Sequence, residues 1–202
     1  MRSEPSPRPD RAGNAGATRD APLIAHLIYR LDVGGLENGL VNLINRIPVE
    51  RFRHAIVCLT DSSDFRDRLW RTDVAVYSLH KPPGNSPGTS YRLWRLLRRL
   101  SPDILHTRNI AALEGVLPAA LAGVPVRIHG EHGRDAVDPE GDNPRHQLIR
   151  KFYRPFVHHY VAVSRDLGSY LEDRIGVPGS RIARICNGVD SELFHPAGAG
   201  RE

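Results

Sequence analysis

Arg181-Ile182-Ala183-Arg184-Ile185-Cys186-Asn187-Gly188-Val189-Asp190, followed by Phe194, His195 and Pro196, reads as a short strand, an Asn-Gly turn and an extended exit. It is the last member of a pattern that runs back to Leu23. Apolar runs that read as strands, at 23–29, 55–59, 74–79, 104–106, 126–129, 160–163 and 182–186, alternate with amphipathic stretches at 36–46, 65–71, 90–100, 111–122, 145–158 and 166–174. Such alternation predicts an α/β fold, a doubly wound parallel sheet of about seven strands. Residues 1–20 carry Pro, Gly, Ser, Arg and Asp with almost no large apolar side chain, and are expected to form a disordered tail.

The composition fits one domain, expected over residues 21–190. In 202 residues, 40% are hydrophobic and 25% charged, enough for a packed core. The net charge of +5 is nearly all arginine, since Lys81 and Lys151 are the only lysines. The planar guanidinium suits phosphate and carboxylate, so anionic partners are favoured. Asp and Glu interleaved with the arginines argue against a continuous nucleic-acid stripe. Cys58 and Cys186 sit in strand-like runs, as buried free thiols do. With no apolar leader and no run of about 18 apolar residues, the chain is expected to be soluble and cytoplasmic.

In an open parallel sheet, ligands bind beyond the carboxyl ends of the strands. Three of those ends are chemically rich. After the first strand comes Gly34-Gly35-Leu36-Glu37, where two glycines let backbone approach a ligand and the helix start offers N–H groups to an anion. Leu36 breaks the dinucleotide fingerprint, and no Gly-Lys-Ser/Thr follows, so a P-loop is excluded. The bland alternative is a plain strand-to-helix turn.

Thr107-Arg108-Asn109 supplies donors to the same crevice, or Asn109 caps the next helix. Gly130-Glu131-His132-Gly133-Arg134-Asp135 gathers two carboxylates, an imidazole and a guanidinium. His132 is placed to act as a general base, with Glu131 or Asp135 orienting its ring and Arg134 holding a phosphate; alternatively it fills a polar turn. His129, by alternation, points into the sheet packing. No cluster has zinc spacing and no Asp-x-Asp triplet occurs, so no metal is expected.

The stretch 91–100 places Arg92, Arg95 and Arg99 on one helical face and Leu93, Leu96, Leu97 and Leu100 on the other. It is either a helix covering the sheet or a basic helix resting on an anionic membrane.

Asn187-Gly188-Val189-Asp190 with Phe194 and Pro196 resembles the segment leaving the N-terminal domain of family-four retaining glycosyltransferases of the GT-B fold. Gly34-Gly35-Leu36-Glu37 is similar to their first glycine-rich loop. His106-Thr107-Arg108-Asn109, Glu131-His132-Gly133-Arg134-Asp135 and Val161-Ala162-Val163-Ser164-Arg165 resemble in particular the sugar transferases of bacterial exopolysaccharide and exosortase (PEP-CTERM) systems. The resemblance spans residues 22–196. It implies a Rossmann-like N-terminal half that binds the acceptor, with Gly34 and Gly35 facing the donor phosphates and His132 near the reacting sugar.

It also implies a nucleotide-sugar co-substrate, no further cofactor, and a glycan or lipid-linked acceptor; the basic helix leaves peripheral contact at the inner membrane face as an alternative. Residues 191–202 would be an interdomain linker and 187–190 a hinge. The donor-binding C-terminal domain would be missing from this chain or carried by a partner, leaving the chain inactive alone. Two other readings remain: a nicotinamide-dependent oxidoreductase, with Asp61 after the second strand, and a non-catalytic anion-binding module.

Overall fold

In a computed structural model of the chain, residues 21–84, 86–133, 138 and 140–188 are described. Seven strands, β1 (Leu23–Ile28), β2 (Arg53–Cys58), β3 (Ala75–Ser78), β4 (Ile104–Arg108), β5 (Val126–Glu131), β6 (His159–Ala162) and β7 (Ile182–Arg184), form one sheet in the order β3-β2-β1-β4-β5-β6-β7. Every pairing is parallel. The connections carry α1 (Gly35–Arg46), α2 (Pro87–Leu100), α3 (Asn109–Leu113), α4 (Val116–Leu121), α5 (Pro144–Tyr153) and α6 (Arg165–Asp173). The fold is the α/β, Rossmann-like arrangement that the alternation predicts.

The two faces are covered unequally. Leu40, Val41 and Ile44 of α1 pack on Ile28, Ile56 and Cys58. On the opposite face, Leu93, Leu96 and Leu97 of α2 pack with Ala112 and Ala119 on Leu27, Val57 and Leu105. Further along that second face, Leu167 and Leu171 of α6 cover Tyr160 and Ala162. Among the described residues no helix covers the first face of β4 to β6, and Ile104, Ile128 and Val161 there are only half buried. Because its leucines are in the core, α2 turns Arg92, Arg95, Arg98 and Arg99 outward, with Tyr91 and Trp94 stacked beside them.

Four expectations are corrected. The helix expected at 65–71 is a single 3-10 turn, Asp64–Arg68, capped by Ser63. The helix expected at 111–122 is broken: a Cβ on Gly115 would lie 2.1 Å from Leu27 Cδ2, so the chain passes close under the sheet here before α4 begins. The helix expected at 145–158 ends at Tyr153, and a 3-10 turn, Arg154–Phe156, follows at Pro155. The last strand ends at Arg184, and Cys186 is exposed rather than buried. Cys58 is buried as expected, and burial pushes its thiol up to about 12. Arg181 pins the start of β7 by donating to the carbonyls of His158 (3.0 Å) and Val157. The tail at 1–20 and the linker at 191–202 lie outside the described residues.

Candidate functional site

The chain builds outward from β1 to β2 and β3, then returns to place β4 on the other side of β1. Connections diverge at that point and leave a crevice beyond the strand ends. A cavity of about 320 Å³ opens there, lined by Tyr29, Glu37, Arg108, Asn109, Gly133 and Arg150 among others. A smaller one of about 260 Å³, bounded by Thr60, Lys81 and Pro82, adjoins it across Tyr29.

The glycine turn is not open in the way the sequence suggests. Gly34 precedes α1 with φ −170° and ψ 160°, an extended conformation open to any residue. What it supplies is room, because a Cβ there would stand 2.2 Å from Glu37 Oε2. Glu37, third in the helix, thus folds its carboxylate back over the turn, where a negative charge complements the helix dipole. A phosphate approaching Gly34 would meet that carboxylate. Gly35 faces open space.

At the end of β4 the sequence expected two donors with similar roles; they differ. Arg108 is 4% exposed and donates from Nη1 to His26 Nδ1 at 3.1 Å. Because a guanidinium only donates, the neutral His26 ring carries its hydrogen on Nε2 and donates to His54 Nδ1 at 2.9 Å. His26 is held well below the usual histidine range by burial and by the charge of Arg108, and burial draws Arg108 itself down to about 10. Asn109 adopts the left-handed region, φ 56°. It caps nothing: no side-chain cap starts α3, and its Oδ1 accepts the backbone N–H of His132 at 2.8 Å. The ends of β4 and β5 are thereby tied together.

At the end of β5, Glu131 does not orient His132. Its carboxylate is 1% exposed and pairs with Arg150 of α5 (Nε to Oε1 2.7 Å, Nη2 to Oε2 3.3 Å). It also accepts from His129 Nε2 at 3.3 Å, and His129 Nδ1 lies 2.8 Å from Thr107 Oγ1. Burial alone would raise the Glu131 carboxyl, but the bonds from His129 and Arg150 override it and hold the group at about 2. His129 is therefore buried as the alternation implies, but in a polar chain. A substrate contact by Glu131 is closed off by Arg150, a mid-helix residue that nothing in the sequence singles out.

His132 folds over Gly130, where a Cβ would stand 2.8 Å from His132 Nε2 and 3.2 Å from His106 Nε2. Both Nε2 atoms are buried and lack a hydrogen-bond partner. Burial, then the charge of Arg108, lowers His132 to about 4, so the ring is neutral at pH 7. Arg134 and Asp135 lie outside the described residues. The crevice thus joins Glu37, Arg108 and Asn109, and His132 is fixed beside it through its backbone bond to Asn109. His26 and His54 carry no sequence signal, because an apolar-flanked histidine in a strand has none of its own, and His106 is marked only by the resemblance. Among the described residues, no three His, Cys, Asp or Glu side chains are grouped to hold a metal ion, and no helix is long and apolar enough to cross a membrane.

A search of curated proteins finds no significant match. Solved structures do share the fold. Anabaena HepE, crystallised with UDP and glucose, superposes with a TM-score of 0.67 at 17% identity, over 88% of this chain and 47% of its own. A glycosyltransferase from Rickettsia africae gives 0.63 at 18% identity, over 90% and 47%. A UDP-N-acetylglucosamine 2-epimerase gives 0.58 at 14% identity, over 82% and 48%. The chain therefore spans about half the length of these structures, and the last of them shows that the fold alone does not select transferases. The match that does select is to the family model of glycosyltransferase family 4, across residues 33–193. That covers most of the chain, and the protein belongs to glycosyltransferase family 4.

Proposed function

We propose that this domain is the acceptor-binding half of a glycosyltransferase that moves a sugar from a nucleotide-sugar donor to a glycan or lipid-linked acceptor, in the assembly of an exopolysaccharide. The observation that carries the reading is the crevice between β1 and β4, which in a family 4 chain is lined by Glu37, Arg108 and Asn109 at the carboxyl ends of the strands, with His132 tethered to Asn109 beside it. Family membership favours this over the nicotinamide-dependent and non-catalytic alternatives. HepE was crystallised with UDP-glucose, which supports a nucleotide sugar as the donor.

In this reading His132 positions a sugar rather than removing a proton. A base of pKa about 4 is mismatched to a hydroxyl at neutral pH, whereas a neutral ring with an unpartnered Nε2 is suited to a hydrogen bond. Asn109 holds the backbone that carries it. Transfer also needs a donor-binding half, in the same polypeptide or a partner.

The test is nuclear magnetic resonance of this chain with acceptor oligosaccharides and with UDP-glucose. Glycan fragments should shift the Asn109 and His132 amides at lower concentration than UDP-glucose does. Tight UDP-glucose binding with no response to glycans would overturn the assignment of this half to the acceptor.

A further inference from the structure

We propose that Arg108 is the receptor for an oxyanion, a phosphate or carboxylate group carried by a substrate bound in the cavity between β1 and β4. The proposal rests on the reading of that cavity as a glycosyltransferase crevice and adds the charge of what enters it. Arg108 is 4% exposed, and a guanidinium withdrawn that far from water ordinarily sits against a carboxylate. Among the described residues none is within ion-pair distance of it. Among the described residues its one hydrogen bond runs from Nη1 to His26 Nδ1, and none of them partners Nε or Nη2.

Its surroundings are imidazoles. His26 shares that bond, and burial together with the charge of Arg108 lowers His26, His106 and His132. Neutral rings provide acceptors or apolar faces but no counter-charge. The contrast with Arg150 is informative: also buried and on the same cavity, it is neutralised by Glu131 in a two-point pair. Two arginines therefore line one crevice, one satisfied and one not. The acid on the described cavity wall, Glu37, is folded over Gly34 and makes no ion pair with Arg108. A planar fork with two directed donors matches two oxygens of a phosphate or carboxylate.

Two sources could present that group, the donor diphosphate or a charged acceptor sugar or lipid phosphate, and the experiment separates them. Inorganic phosphate is titrated into the whole 202-residue chain while the Arg108 Nε–Hε resonance and Tm are followed, against matched chloride for ionic strength. Saturable movement of that resonance is expected, with a Tm rise that Arg108→Met reduces by at least roughly tenfold in phosphate affinity. UDP and glucuronate are then compared with glucose. A response to UDP assigns the oxyanion to the donor, and a response to glucuronate alone assigns it to the acceptor.

An Arg108 resonance unmoved by phosphate, UDP and glucuronate overturns the proposal, as does an equal Tm response in wild type and Arg108→Met. Should that variant not fold, the resonance in the wild-type chain decides. None of these readouts requires sugar transfer. A chain that binds the anion yet gives no response to acceptor glycans would refute the acceptor-half reading and leave the anion site standing.

Discussion

Asn109 Oδ1 accepts the backbone N–H of His132 at 2.8 Å, across 23 residues of sequence, from a backbone held at φ 56°. Left-handed backbone favours Asn among non-glycine residues, and only an Asn or Asp side chain there can also make this bond. Asn109→Ala is expected to destabilise the chain by about 2 kcal/mol, combining strain with a lost hydrogen bond. Asn109→Gly should recover the strain component but not the bond. Urea denaturation checks the order, and equal stability of the two variants would exclude a backbone contribution.

Two glycines make opposite predictions. Gly115→Ala drives a methyl into Leu27 Cδ2 in the core, and overpacking of this kind costs about 1–3 kcal/mol. Gly130→Ala instead meets only imidazole ring atoms, His132 Nε2 at 2.8 Å and His106 Nε2 at 3.2 Å. It should leave Tm nearly unchanged while moving the His132 ring signals and weakening glycan binding. A large Tm loss in Gly130→Ala would mean that the ring is locked.

Glu131 and Arg150 form the buried pair behind the crevice. Removing one partner strands the other charge, so Glu131→Leu or Arg150→Met should each cost about 3–5 kcal/mol. The double variant Glu131→Leu with Arg150→Met should recover much of that loss. A double-mutant cycle measures the coupling directly; additive losses would show the pair to be independent.

Acid should destabilise the chain early. His54 and His132 are each lowered to about 4, by burial first, then by Arg71 and Arg108 respectively. The unfolded chain takes up protons on these rings below pH 6.5 while the folded chain does not, so unfolding binds protons and stability falls as pH drops from about 6.5 toward 4. Above 6.5 these two rings are neutral in both states and contribute no slope. Glu131, held at about 2 against an ordinary 4.5, extends the loss at lower pH. Tm measured from pH 8 to 4 should be level and then fall; a flat profile to pH 4 would contradict neutral buried rings.

The outward face of α2 offers Arg92, Arg95 and Arg98 beside Tyr91 and Trp94, with Leu121 exposed next to the Trp94 indole. Binding to vesicles containing anionic phospholipid is expected, weakened by salt and by Arg92→Glu with Arg95→Glu. Equal sedimentation with neutral vesicles would remove the membrane contact. The leucine stripe of the same helix cannot take part, since it is the core.

The alternation of apolar and amphipathic segments determined the strand count, the parallel sheet and the strand ends where chemistry gathers, because strand and helix periods are local properties of the chain. It could not reveal Arg150 as the partner of Glu131, 19 positions away on a helix, nor separate two adjacent donors into a buried charge, Arg108, and a tether, Asn109. Those assignments depend on register and on which helix crosses which strand, so they exist only once the sheet is assembled. The same holds for Gly34, which reads as a phosphate-facing turn but in space makes room for Glu37. Residue type sets what a side chain can bind; packing decides whether its partner comes from the protein or from a ligand.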